Sequence, residues 1–506
     1  MNLQTQTVVV IGAGVGGLAA AIRLAAAGAA VTLVEAAATP GGKMRTLPSA
    51  AGPVDAGPTV LTLRHVFDDL FALAGTRLED HLTLIPQPIL ARHWWPDGSR
   101  LDLHADPDAT LAAIETFAGP REAQAFRRFD QLSARLFKTF DIPVMQAASP
   151  NLGQIARAAL RQPRLWPALM PGMTLTRLLR LHFRDPRLIQ LFARYATYVG
   201  GRPSHSPAVL SLIWRAEAQG VWAVQGGMHQ LALALATQAQ RLGVRIRYAT
   251  RASRIVTQHG RVTGVQIEGG STLPCTACVF NGDPAALTQG LLGTGPASAV
   301  APRATAPRSL SAWVWSFAAT PQGDIARNLI HHNVFFSADP KAEFGPIGRG
   351  QMPVDPSLYL CAEDRAAGPP ARPLERFEII VNGPAGHPAT GHPAKGHPAK
   401  GQEFSQCTSR TFDRLQAQGL TFSPQPQAPA LTTPAMLGQL FPGSQGAIYG
   451  RSPEGLMAAF QRPPATTALA GLYLAGGGAH PGAGVPMAAL SGRHAAEAIA
   501  RGPTSR

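Results

Sequence analysis

Thr7-Val8-Val9-Val10-Ile11-Gly12-Ala13-Gly14-Val15-Gly16-Gly17, followed by an alanine-rich run from Leu18 to Ala27, decides the fold. Five consecutive β-branched residues predict a strand, the glycines a tight turn, and the alanines a helix that ends near Gly28. A second strand-like run, Val31-Thr32-Leu33-Val34, delivers Glu35 at its tip. The result is a complete βαβ unit carrying a G-x-G-x-x-G fingerprint. Gly12 permits the turn, Gly14 lets backbone approach a diphosphate at the helix N-terminus, and Gly17 lets helix and strand pack closely. Glu35 is placed to accept the hydroxyls of an adenosine ribose. The fold class expected is α/β with a Rossmann-type domain. NAD and FAD present the same ADP half to such a unit, so the fingerprint does not separate them.

Working outward, Pro40-Gly41-Gly42-Lys43-Met44-Arg45 sets a glycine pair and two cations just after the acid, and Asp55-Ala56-Gly57-Pro58-Thr59 follows. Gly42, Lys43, Arg45 and Thr59 are candidate contacts to a diphosphate and an isoalloxazine. At the other end of the chain, Gly471-Leu472-Tyr473-Leu474-Ala475 reads as a strand. A loop from Gly476 to Gly484 and a closing helix from Val485 to Ala500 complete that segment. The helix N-terminus would stabilise negative charge gathering on a flavin pyrimidine during reduction, which makes Gly477, Gly478, Gly484, Val485 and Pro486 further candidates. The cofactor site is thus expected to be assembled from both extremes of the sequence, with FAD as the cofactor.

These motifs resemble the FAD-dependent phytoene desaturase family of bacterial carotenoid desaturases, within the wider amine-oxidase-like flavoproteins. The resemblance covers most of the chain. It is strongest from Val10 to Arg45, at Asp55 to Thr59, at Val224-Gln225-Gly226-Gly227-Met228 and from Leu472 to Leu490, where His480 to Pro486 reads H-P-G-A-G-V-P. Leu90 to Gly98 and Pro486 to Gly492 look most like the 1-hydroxycarotenoid 3,4-desaturases. The resemblance implies a Rossmann-type FAD-binding domain, an α+β substrate domain and a helical, membrane-facing lid. It also places Ala252, after the strand Val244 to Tyr248, against the adenine. The implied reaction introduces a 3,4 double bond into an acyclic 1-hydroxy- or 1-methoxycarotenoid, by hydride transfer to flavin and proton loss, with quinone or oxygen as final acceptor. Phytoene desaturation, ketolation or isomerisation on the same scaffold, and a soluble flavin amine oxidase, are the competing activities.

The domain division expected has the FAD-binding domain in three parts, 1–76, 216–290 and 454–506. The substrate domain lies in two, 77–140 and 291–453, the second with a low-complexity insertion at 384–401, and a lid spans 141–215. Within the lid, Ile142 to Arg184 contains no acid but six arginines, Arg157, Arg161, Arg164, Arg177, Arg180 and Arg184. Arg177, Arg180 and Arg184 share one helical face and Leu175, Leu179 and Phe183 another, the pattern of an interfacial helix with its apolar side in lipid, or of a surface helix packed on a core. Glu217 and His93 are the candidate acid–base residues. A structural salt bridge competes for the first, and a place in an aromatic core with Trp94 and Trp95 for the second.

Composition bounds the rest. At 506 residues, 45% hydrophobic and 15% charged, the chain is neither a disordered tail nor a disulfide-stapled miniprotein. Its formal charge of +15 could serve nucleic acid, an anionic membrane surface or an anionic substrate and does not choose among them; the resemblance implies no nucleic-acid partner. Four cysteines suit a reducing compartment. Cys275 and Cys278 form a C-x-x-C without a second pair at zinc spacing, so no metal is expected. The repeat of Gly-His-Pro-Ala beginning at Gly386 reads as an inserted loop. With no long apolar run and no leader before the first motif, the expected location is the cytoplasmic face of the inner or an intracytoplasmic membrane, attached peripherally.

Overall fold

A computed structural model describes residues 3–370, 372–386, 401–455 and 457–502. Most of the Gly-His-Pro-Ala insertion, 387–400, lies outside them. The strand Thr7–Ile11 sits at the centre of a five-stranded parallel sheet, with Val10 opposite Leu33 of Ala30–Val34 on one side and Val279 of Ala277–Phe280 on the other. Leu472–Leu474 and Arg245–Arg247 form the two edges. Burial on both faces explains why the central strands are continuous apolar runs and not alternating ones. The helix Val15–Ala26 follows directly, and Gly28 takes the positive φ of 94° that turns the chain back toward the sheet. Its alanine surface lets the closing helix Val485–Arg501 pack closely, with Gly492 against the backbone of Gly16 and Ala20.

A second, eight-stranded sheet is built on the long strand Ser311–Gln322, which pairs with Glu375–Gly383 and continues through Leu358–Ala362, His332–Phe335, Ile89–Trp94 and Arg100–His104. His332–Phe335 and Ile89–Trp94 run parallel, and the remaining pairs of this sheet antiparallel. The helices Pro120–Phe140, Leu152–Leu160, Leu175–His182 and Pro186–Ala193 follow the strand Arg100–His104 in the chain, and residues of the first, third and fourth share one buried cluster. Among the described residues no helix is long and apolar enough to cross a membrane.

The helix Leu175–His182 corrects one expectation. Leu175, Leu179 and Phe183 do not face outward; they are fully buried with Phe126, Phe129, Phe192 and Trp214. Arg184 lies beyond the helix end. The apolar side chains this segment does present to the exterior are others: Ile142, Leu160, Trp166, Met170 and Leu181, the last 69% exposed. Arg157, Arg161, Arg164, Arg177, Arg180 and Arg184 are all exposed around them.

Candidate active site

The glycine turn is as tight as its spacing demands. Gly14 bridges Gly41, and the side chain of Asn281, at the end of the neighbouring strand, donates from Nδ2 to the Gly12 carbonyl at 3.1 Å. A Cβ on Gly14 would fall 2.9 Å from that same Nδ2, and one on Gly17 would collide with the Gly12 carbonyl. Asn281 Oδ1 is buried without a hydrogen-bond partner. Glu35 accepts from the Ala13 amide at 2.6 Å and the Ala37 amide at 2.8 Å, so its carboxylate is fixed at the strand tip beside the turn.

The cations after the turn reach inward. Lys43 donates from Nζ to the Ile448 carbonyl at 2.6 Å, and burial pushes its ammonium down to about 8, with Asp283 opposing and Arg308 and Arg462 reinforcing that shift. Three cations, Lys43, Arg308 and Arg462, thus gather around Asp283, which pairs with Arg308. Arg462 donates to the carbonyls of Gly477 and Arg451, both at 2.8 Å, holding the C-terminal glycine loop. Arg45 donates to Thr432 Oγ1 at 2.6 Å. Ala252 opens the strand Ala252–Gln258, paired with Ile267. Gly478 packs on Pro284, and Gly484 precedes the closing helix, whose first residues Val485 and Pro486 enter a cavity wall.

That cavity measures about 1370 Å³. Pro481 to Met487, Thr59, Tyr449 and Arg462 form one part of its wall, and apolar side chains such as Phe137, Phe140, Leu210, Ile213, Phe336 and Phe344 much of the rest. Thr176 and Arg180 bring the wall to the arginine-rich segment described above. An interior of this size exceeds ordinary small-ligand pockets, which run to roughly 1,000 Å³. FAD fits the residues present: a glycine cradle that any Cβ would fill, an orphaned amide oxygen on Asn281, surplus positive charge, and a helix N-terminus at the cavity. Gly12, Gly14, Gly17, Glu35, Gly42, Lys43, Arg45, Thr59, Ala252, Gly477, Gly478, Gly484, Val485 and Pro486 would hold it.

The two acid–base candidates fare differently. Glu217 lines the cavity, accepting from the Tyr195 hydroxyl at 2.8 Å, with Arg194 Nη2 3.6 Å away. Arg194 in turn bonds Tyr198 and stacks on both tyrosine rings, so Glu217 is tied into a buried ion pair. Breaking such a pair from one side leaves an uncompensated charge. His93 does not line the cavity. Its ring lies fully buried, 3.2 Å from the Leu101 carbonyl and stacked on Phe336, and burial holds it well below its usual pKa. Trp95 and Phe336 stand in the wall instead, ring centroids 5.0 Å apart. His480 is a clamp: its Nε2 donates to the carbonyls of Val144 at 2.8 Å and Ala147 at 3.0 Å, tying the C-terminal loop to the turn after Phe140.

Several site residues carry no local sequence signal. Arg462, Tyr449 and Tyr359 come from segments without a motif, and only the pairing of distant strands brings Tyr359 to Thr59 at 2.6 Å. Asn281 begins an Asn-Gly-Asp-Pro segment, and it reaches the fingerprint because the strand Ala277–Phe280 that delivers it runs beside Thr7–Ile11.

Comparisons with known proteins agree with this geometry. The model of flavin-containing amine oxidoreductases matches residues 15–312. The chain is similar to the hydroxyneurosporene desaturase of Cereibacter sphaeroides, 63% identical over 99% of this chain and 98% of that protein. It is similar at 45% identity to the hydroxyneurosporene desaturase of Rubrivivax gelatinosus, over 98% of this chain and 94% of that one. In fold it resembles cyclohexylamine oxidase from Brevibacterium oxydans, with a TM-score of 0.56 and 19% identity over 98% and 99% of the two chains. A full-length match at this identity, on a glycine cradle shaped for FAD, places the chain in the flavin-containing amine oxidoreductase family, as an FAD-dependent oxidoreductase of its carotenoid desaturase branch.

Proposed function

We propose that the chain introduces a 3,4 double bond into an acyclic 1-hydroxy- or 1-methoxycarotenoid. The observation that carries this reading is the large, mainly apolar cavity that runs between the start of the closing helix and the arginine-rich lid, in a chain so similar to hydroxyneurosporene desaturases. Bound FAD supplies the two-electron acceptor for the hydride. The chain's own residues bind and orient the polyene, exclude water, and remove the second hydrogen as a proton. Trp95 and Phe336 place ring faces at the cavity wall, where they favour positive charge developing on a conjugated chain. Glu217 keeps Arg194 charged and fixed in that wall, a positioning role in place of proton transfer.

The substrate's insolubility favours delivery from a bilayer. Exposure of a long polyene to water would cost about 0.8 kcal/mol per CH₂. Ile142, Leu160, Trp166, Met170 and Leu181, set among exposed arginines and no acid from Ile142 to Arg184, form the surface we assign to peripheral docking on the inner or an intracytoplasmic membrane. A quinone or oxygen would be the final electron acceptor, and no nucleic-acid partner is expected. Conversion of a hydroxylated or methoxylated acyclic carotenoid to its 3,4-didehydro product by the purified holoenzyme tests the assignment. Comparable conversion of phytoene with none of the hydroxylated compound would favour phytoene desaturation.

A further inference from the structure

Behind the cavity wall lies a polar path that neither the cofactor motifs nor the hydride transfer uses. Tyr359 lines the large cavity, and its hydroxyl lies 2.6 Å from Thr59 Oγ1 and 2.7 Å from His332 Nδ1. Thr59 also lines a second, closed cavity of about 10 Å³, shared with Asp55, His331, Cys361 and Glu363. That volume suits about one water molecule, and the polar partners such a water needs are all present. Glu363 is fixed there by an ion pair: its Oε2 stands 3.3 Å from Arg376, which bonds Asp364 at 2.6 Å.

We propose that the proton lost by the substrate leaves the apolar cavity through the hydroxyls of Thr59 and Tyr359 and is received by Glu363. The inference rests on the desaturation reading. In that reaction one C–H bond yields a hydride, two electrons going to FAD as oxidant, and the neighbouring C–H bond yields a proton as its electron pair becomes the new C=C bond. The proton passes to a relay hydroxyl while that hydroxyl's own proton moves on, by way of the water-sized cavity, to the Glu363 carboxylate. Glu363 keeps 8% of its surface accessible and discharges the proton to water there, while Arg376 holds the carboxylate in place. A strong base is not required, because a proton next to a polyene cation is strongly acidic; an ordered exit is, because the cavity is mainly apolar.

The groups facing Glu363 explain why it is suited to the task. Asp55, whose backbone N–H donates to Glu363 Oε1 at 2.7 Å, together with Glu378, Asp364 and Cys361, adds negative or thiol groups. Arg376 opposes them, and the neighbouring His331 is buried and neutral. Burial, with Asp55 next, pushes Glu363 up to about 8. A carboxyl in that range both takes up and returns a proton near neutrality.

The test uses the holoenzyme with a 1-hydroxylated acyclic carotenoid in vesicles. Only ionised Glu363 accepts a proton, so kcat of the native enzyme should rise with pH through about 8, and Glu363→Gln should lower kcat about 100-fold, flatten that rise and leave KM unchanged. Tyr359→Phe, which removes only a hydroxyl, should lower kcat in the same direction with an unaltered flavin spectrum, and it decides the matter if Glu363→Gln fails to fold. A kcat within twofold of native in Tyr359→Phe, or an inflection that survives in Glu363→Gln, overturns the relay. Infrared titration gives a readout free of substrate identity: a protonated-carboxyl band that disappears near pH 8 and is missing in Glu363→Gln supports the assignment, and its absence from the native protein overturns it. Failure of the native enzyme to convert the carotenoid would count against the substrate reading alone, leaving the band to decide the relay.

Discussion

Gly16, near the start of the chain, and Gly476, near its end, approach so closely that a Cβ on Gly16 would fall 2.5 Å from the Gly476 amide nitrogen. The FAD-binding turn is therefore closed by backbone from the far end of the sequence. Gly16→Ala makes this contact measurable. In an isolated helix the change would stabilise by up to about 1 kcal/mol, but here an overpacking cost of roughly 1–3 kcal/mol against rigid backbone outweighs it. The variant should show a lower Tm and a reduced ratio of flavin to protein absorbance.

Glu35→Ala separates cofactor retention from folding. The carboxylate is held by the Ala13 and Ala37 amides at the strand tip, where its loss leaves the core intact. Removing a charged acceptor for ribose hydroxyls should cost about 1.5–3 kcal/mol, weakening FAD retention roughly 10- to 100-fold. Equilibrium dialysis against free FAD checks the loss, and far-ultraviolet circular dichroism checks the fold.

Lys43 gives a pH signature with a definite sign. Burial lowers its ammonium from the ordinary 10.5 to about 8, so between those values the unfolded chain binds a proton that the folded chain does not. Stability of the apoprotein from this group must then rise as pH increases from about 8 to 10.5. Urea unfolding across that range should show the rise, and Lys43→Met should reduce it. Binding of the anionic cofactor should favour the charged form and take up a proton near pH 9, measurable by calorimetry in buffers of different ionisation enthalpy.

The docking surface proposed above has two separable parts. Replacing Leu160, Trp166 and Leu181 together by aspartate should release the protein from liposomes at low and high salt, since apolar insertion does not depend on screening. Reversing Arg177, Arg180 and Arg184 to glutamate should abolish flotation with anionic liposomes at low salt, where each arginine contributes roughly 1 kcal/mol. Flavin spectra should be unchanged in both. Retained flotation in both variants would place the membrane contact elsewhere.

The sequence was most legible where chemistry is local. The strand, turn, helix and acid from Thr7 to Glu35 and the strand, loop and helix from Leu472 to Ala500 carry their spacing in one run, and they stand as read. Helical periodicity at Leu175, Leu179 and Phe183 reported an apolar face correctly, but the same pattern serves a protein core and a lipid interface, and here it is the core. His93 misled for a similar reason: a histidine beside tryptophans is written alike whether it faces a cavity or lies behind one. Tyr359, His332 and Glu363 were invisible because register between distant strands, and no short motif, brings them together with Thr59.

The most direct measurement is product analysis after the purified holoenzyme, in vesicles, meets a panel of hydroxylated, methoxylated and unsubstituted acyclic carotenoids. A 3,4-didehydro product, two hydrogens lighter, is expected from the 1-hydroxy- or 1-methoxycarotenoids, with flavin reduced in the absence of an acceptor and no requirement for a nicotinamide coenzyme. A preparation that lacks flavin absorbance, needs NAD stoichiometrically, or desaturates phytoene while leaving the hydroxylated carotenoids untouched would contradict it.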